Sequence, residues 1–190
     1  MRKITFDIET TGLVTAGNDF SDLELALVGI HDSVTDTYDS FTKDELPRLW
    51  SILEQADMLI GYNSDHFDIP ILNRYYAGDL TRIKSLDLLA EIRTSLGRRL
   101  KLDSVAQATL GAKKTGSGLD AMKWWAEGNV QKVRDYCLHD VKLTKDLYDF
   151  ALTNGHVLYM DFKQKKKVPL DVTRWEAEVT KTSITHTLPF

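Results

Sequence analysis

Ile4-Thr5-Phe6-Asp7-Ile8-Glu9-Thr10 is the stretch that decides the fold. Apolar Ile4, Phe6 and Ile8 alternate with polar Thr5, Asp7 and Glu9, the period of two that marks a strand with two different faces. Leu23 to Ile30 is apolar almost throughout, as suits a strand covered on both sides, and Val34 to Phe41 follows after a short turn at Asp32 and Ser33. Together these runs predict an antiparallel hairpin. Lys43 to Gln55 reads as a helix, because Leu46, Leu49, Trp50 and Leu53 recur at spacings of three and four. Met58 to Ile60 then predicts a short buried strand, Ile69, Leu72 and Tyr76 a helix, Ser85 to Leu89 a strand, and the chain out to Thr153 several helices. Three opening strands followed by alternating helix and strand predict an α/β domain, a mixed sheet flanked by helices in three layers.

The last long helix, about residues 129 to 153, carries Val130, Val133, Cys137, Val141, Thr144 and Tyr148 on one stripe that faces the sheet. Beyond it, His156 to Phe162 and Val168 to Trp175 read as two strands joined by a lysine turn at 163 to 167. Residues 1 to 152 therefore form the main domain, and 153 to 190 a β-hairpin extension and tail, packed on the same domain or trailing it. The chain of 190 residues is 43% hydrophobic, enough for one core, and carries a net charge of -4. Residues 1 to 60 hold 4 basic and 12 acidic side chains, so the acidic excess is concentrated there. The densest basic stretch is Arg82 to Lys114. Cys137 has no second cysteine to pair with, and no apolar run approaches the roughly 20 residues that span a bilayer. The expectation is an intracellular, cytoplasmic protein with no membrane partner.

Asp7 and Glu9 leave the same face of their strand with β-carbons roughly 7 Å apart, close enough for both carboxylates to reach one ion. Two acids on an otherwise apolar strand repel each other and resist burial, a cost that a divalent cation removes; the alternative is a face that is simply solvated. Thr10, Thr11 and Gly12 follow at once, so the acids stand where a strand enters a loop, the usual ligand address in α/β sheets. Asp68 lies at another junction, Gly61-Tyr-Asn-Ser-Asp-His-Phe-Asp68, where it also suits a helix cap. Asp140 falls on the flank of the last helix's stripe, near the sheet and outside the core, with Tyr136 one turn earlier on the same side.

Phe6-Asp-Ile-Glu-Thr-Thr-Gly-Leu13, Asn63 with Phe67-Asp68, and Tyr136-Cys-Leu-His-Asp140 together resemble, in order and separation, the three motifs of the DEDD 3′–5′ exonucleases. Those enzymes belong to the ribonuclease-H-like superfamily. Tyr136 stands four residues before the last acid, as in the tyrosine (DEDDy) subclass; the histidine subclass would want His at position 135, which is Asp135. The resemblance covers about residues 1 to 152, is similar to the proofreading domains of family-B DNA polymerases, and extends through Asp87–Leu89 and Lys101–Gly111 to stand-alone exonucleases. It implies a ribonuclease-H-like fold with a mixed five-stranded sheet.

The same resemblance implies a catalytic set of Asp7, Glu9, Asp68, Tyr136 and Asp140. Asp7, Glu9 and Asp140 would hold one divalent ion, Asp7 would bridge to a second, and Asp68 would reach that second site. All-oxygen ligands suit Mg²⁺ or Mn²⁺. A phenol, with a reference pKa of about 10, is a poor base at neutral pH, so Tyr136 is expected to orient water by a hydrogen bond. Thr10, Thr11, Gly12 and Leu13 are expected to meet the terminal nucleotide, Leu13 by stacking on the last base. Phe67 is either a second stacking face or packs on its own helix, and Asn63 contacts substrate or fixes its loop. Arg98, Arg99, Lys101, Lys113, Lys114 and the lysine turn are candidates for a backbone-tracking groove or plain solvated faces. His31, His66 and His139 are not needed by an oxygen-rich site, and His31 and His139 read as solvent residues. The expected partner is nucleic acid with a free 3′ end, single-stranded DNA slightly favoured over RNA; no helicase or polymerase partner can be named. An RNase-H-type endonuclease and a non-catalytic binding module remain the alternatives.

Overall fold

The computed structural model describes residues 1–12, 20–112 and 116–177. Strand β1 (Lys3–Thr11) pairs antiparallel with β2 (Glu24–Asp32), which pairs antiparallel with β3 (Thr37–Thr42). On its other side β1 runs parallel to β4 (Met58–Gly61), and β4 parallel to β5 (Lys84–Asp87). The order β3-β2-β1-β4-β5 makes the expected mixed five-stranded sheet, with β1 at its centre.

The alternation of β1 sorts the two layers. Ile4, Phe6 and Ile8 join Leu49 and Leu53 of helix α1 (Leu46–Leu53) and Ile69 and Leu72 of α2 (Asp68–Leu72) in one apolar cluster. The opposite face carries α6 (Val130–Asn154), which crosses β1 and β2 and is flanked by α4 (Leu102–Leu110) and α5 (Gly118–Ala126). Helix α3 (Leu88–Leu96) joins this second layer through Leu88 and Ile92. No helix among the described residues is long and apolar enough to cross a membrane.

Several boundaries differ from the sequence expectation. Residues 43–45 form a 3₁₀ turn before α1, whose first turn holds Pro47, a residue that needs no backbone donor there. Helix α2 stops at Leu72 and does not reach Tyr76, because Arg74 and Tyr75 already bond back three residues. The hairpin also differs: β6 (His156–Asp161) pairs with β7 (Gln164–Pro169) around a turn of only Phe162 and Lys163. Lys165, Lys166 and Lys167 are thus strand residues, hidden from a reading that looks for alternation by their shared polarity. His31 is buried against the α6 layer, with Nε2 2.9 Å from Asp36, and is not a solvent residue.

The extension shares the domain's core. Val157, Tyr159, Val168, Leu170 and Trp175 pack with Met58, Leu86 and Leu147. Trp175 stacks on Tyr148, and its indole N–H donates to Glu91 at 3.2 Å.

Gly29 sets how closely α6 approaches the sheet. It is the β2 partner of Asp7, and a β-carbon built there would lie 2.8 Å from Cys137 Sγ, 3.2 Å from Val141 and 3.3 Å from Leu138. Three side chains of one helix fill the space that any other residue would occupy. Gly29→Ala should therefore lower stability by about 1–3 kcal/mol in urea unfolding, the usual range for overpacking. Adding Cys137→Ala should recover part of that loss. Purely additive effects in the double-mutant cycle would contradict the contact.

Candidate active site

The site is built where β1 outruns its parallel neighbour. The β4 ladder ends at Thr5 opposite Ile60, two residues before Asp7. The Ile8 amide instead donates to Asp68 Oδ1 at 3.1 Å, so the first residue of α2 occupies the position a strand would have taken. On the other side, the β1–β2 register shifts between Glu9 and Thr10, a bulge that turns the end of the strand.

Asp7 and Glu9 face α6, where Cys137 lies against them. One carboxylate oxygen of each acid and the Cys137 sulfur lie within 4.8 Å of one another. The thiol is 3.4 Å from the Asp7 carbonyl and 3.8 Å from Asp7 Oδ2. Burial pushes its pKa well up, and Asp7, Glu9 and Asp140 add to the shift in that order, so the sulfur keeps its proton. Asp140 follows three residues after Cys137 on α6. Asp140 is only 2% exposed, more deeply set than its stripe-edge position suggested.

Asp68 is 4% exposed, and burial drives its pKa up to about 7 against the lowering effect of the Ile8 amide. Asp87, also buried, contributes a smaller push. Asp87 ties down the loop before α2. Its carboxylate accepts from the amides of Asn63 at 2.7 Å and Asp65 at 3.3 Å while capping α3 through Leu89 and Ala90. Asn63 adopts a left-handed backbone, φ 69°, and its side-chain oxygen accepts from the Arg99 guanidinium.

Tyr136 is almost fully buried, with its ring edge-on to Trp124. It still borders a cavity of about 900 Å³ whose lining includes Tyr62, Asn63, Arg99, Lys101 and Ser117. This cavity gives Asn63, Arg99 and Lys101 a common space with Tyr136. Thr10, Thr11 and Gly12 continue β1 into its loop, Gly12 at φ 95° with the Asp22 carbonyl 2.9 Å from where a β-carbon would stand. Phe67 packs edge-on against Phe20, ring centroids 5.0 Å apart, and joins the α1–α2 cluster, which favours the packing alternative. Leu13, Lys113 and Lys114 lie outside the described residues.

The donor set fits a hard divalent cation. Two carboxylates stand within reach of one ion, a third, Asp140, is buried on the helix that covers them, and burial holds a fourth, Asp68, out of its ordinary titration range. Sequence reasoning missed the places of Cys137 and Asp87. The helix period puts Cys137 on the stripe that faces the sheet, but it carries no signal that Asp7 and Glu9 are its neighbours. Asp87 gave only the weak signal of an acid at a strand end.

A family model of the RNase_H superfamily matches residues 4–152, and the chain belongs to that superfamily. Membership supports nuclease activity in general terms and, with it, nucleic acid as the substrate and divalent metal as the cofactor. No curated protein matches in sequence. Among solved structures, the chain is similar to the family B DNA polymerase from the hyperthermophilic archaeon Pyrobaculum calidifontis, with a TM-score of 0.62 and 19% sequence identity. The match covers 80% of this chain and only 24% of the polymerase.

Asp68 gives the site a pH signature. With its folded-state pKa raised, the folded protein binds a proton that the unfolded chain releases, so stability falls as pH rises from about 4 to about 7. In chelating buffer Asp68→Asn should flatten that slope and raise the urea midpoint more at about pH 7 than at about pH 5. An unchanged slope in the variant would show that Asp68 is not the titrating group.

Proposed function

We propose that this chain is a metal-dependent 3′–5′ exonuclease of the DEDDy type, acting on single-stranded ends, DNA in preference to RNA. The observation that carries the reading is the α6 arrangement. Tyr136 borders the cavity lined by Arg99, Lys101 and Asp103, while Cys137, the next residue, lies with Asp7 and Glu9, and Asp140 is buried one turn further along the same helix. A strand end entering the cavity would bring its last phosphodiester between the tyrosine and the acids.

Asp7, Glu9 and Asp140 would hold one Mg²⁺ or Mn²⁺ ion, and Asp7 with Asp68 a second. When bound, the ions supply charge neutralisation at the phosphate and an acidified water. The chain's own residues do the positioning. Tyr136 Oη offers a hydrogen bond that orients the attacking water, and Asp87 fixes the loop that carries Asn63 and leads to Asp68. Arg99, bonded to Asn63, offers the rest of its guanidinium to a substrate phosphate. Thr10, Thr11 and Gly12 are the strand-end loop that meets the terminal nucleotide, and Leu13 would add an apolar face for its base.

Incubation with 5′-labelled single strands and duplexes of DNA and RNA, in Mg²⁺, Mn²⁺ or chelator, tests the reading. A metal-dependent ladder shortening from the 3′ end is the expected result. Asp7→Ala should reduce the rate by about 10³-fold or more, as for loss of a principal electrostatic group. Tyr136→Phe should cost about fivefold to tenfold, the equivalent of one hydrogen bond. Discrete internal cuts would identify an RNase-H-type endonuclease, and absence of cleavage with every metal a binding module.

A further inference from the structure

We propose that the β6–β7 hairpin is a second contact for the substrate strand, gripping it upstream of the 3′ end by stacking on Phe162 and by phosphate contacts to Lys163, Lys165 and Lys167. This rests on the exonuclease reading for the identity of the strand.

The turn is the first observation. Phe162 is 98% exposed and sits at φ 54°, in a two-residue turn whose first position is usually filled by glycine. A phenylalanine there strains the backbone and buries nothing, so the fold gains nothing from it. A residue that breaks a local rule without structural return points to function.

Charge is the second. Four lysines occur between positions 163 and 167 of a chain whose net charge is -4. Lys166 pairs with Asp161 at 2.5 Å, whereas Lys163, Lys165 and Lys167 have no carboxylate partner among the described residues. The pairing Leu158–Lys167 and Met160–Lys165 puts these two lysines on the face turned away from the buried pair Val157–Val168. Met160 is itself 48% exposed. The outward face is thus apolar and cationic together, the composition that takes bases and phosphates without reading sequence.

Continuity with the active site is the third. Arg98 lies over the Tyr159 ring at 5.3 Å and 4.0 Å from Asp161, which joins it to the hairpin. Its neighbour Arg99 bonds Asn63 and lines the cavity beside Tyr136. Arg99 and Arg98 therefore carry positive charge from the cavity to the inner face of the hairpin, and the tip with Phe162 and Lys163, about 10 Å or three strand rises beyond Tyr159, leads from that face to the outward one with Lys165 and Lys167. An anionic membrane would also attract such a tip, but Arg98 and Arg99 between it and the cavity favour nucleic acid.

The test uses the full chain, Phe162→Ala, and a variant combining Lys163→Ala, Lys165→Ala and Lys167→Ala, with single-stranded DNA of about 4 and about 16 nucleotides. Since all four side chains are exposed, urea midpoints should match the parent. For the longer strand, each variant should raise KM about tenfold with kcat unchanged, and for the shorter strand change neither. Anisotropy titrations in chelator should show the salt slope of long-strand binding falling by about 2 in the lysine variant, at roughly 0.7 per lost contact. Equal effects on both lengths, or none, would overturn the proposal while leaving the exonuclease intact. If the parent cleaved neither strand, the exonuclease reading would fail, and an unchanged salt slope would be needed to overturn the hairpin contact. Hairpin-dependent binding to equimolar phosphatidylcholine–phosphatidylserine vesicles, with unchanged binding of both strands, would identify a membrane contact instead.

Discussion

The close approach of α6 to the sheet at Gly29 is the constraint on which the rest of the molecule depends. A glycine opposite Asp7 leaves room for the Cys137 sulfur, and seating that sulfur fixes the helix in both depth and rotation. Tyr136 and Asp140 flank Cys137 on the helix, so their directions follow from its contact. The second motif is set separately, by Asp68 on the Ile8 amide and by Asp87 beneath the Asn63 loop. Three segments distant in sequence are thereby locked to the last residues of one central strand.

The electrostatics of this arrangement run against its own stability. Burying carboxylates beside one another is unfavourable, and the raised pKa values of Asp68, Asp87 and Cys137 all reflect burial as their leading cause. At Asp68 and Asp87 backbone amides supply part of the counter-charge. The acidic first third of the sequence and the basic hairpin then separate the charge: negative gathered around β1, positive on the strand β7.

Much of this was legible in the sequence because it depends on short-range periods. Strict alternation in β1 named both the strand and the face that carries Asp7 and Glu9, and the helical stripe ending at Tyr148 named the element that covers them. Contacts that depend on two distant segments were not legible. Nothing local marks Cys137 as the neighbour of Asp7, or Asp87 as the anchor of Asn63. Asp140 was assigned to the edge of its helix, since a helical wheel gives direction but not the depth to which Gly29 lets the helix sink. The lysines of β7 look like a turn in sequence because strand pairing, which overrides their low strand propensity, is a property of the partner β6.

Where β4 stops, the centre of the sheet has a notch, and Asp68 fills it with a side chain in place of a strand. One oxygen atom therefore fastens the backbone beside the acids it is meant to assist. Structural and chemical demands fall on the same carboxylate, so the position accepts few replacements even before any reaction is considered. Alanine would unfasten β1 and remove a carboxylate together, whereas asparagine keeps the acceptor and gives up only the charge. The site and the sheet edge are one construction, and neither can drift in sequence without the other.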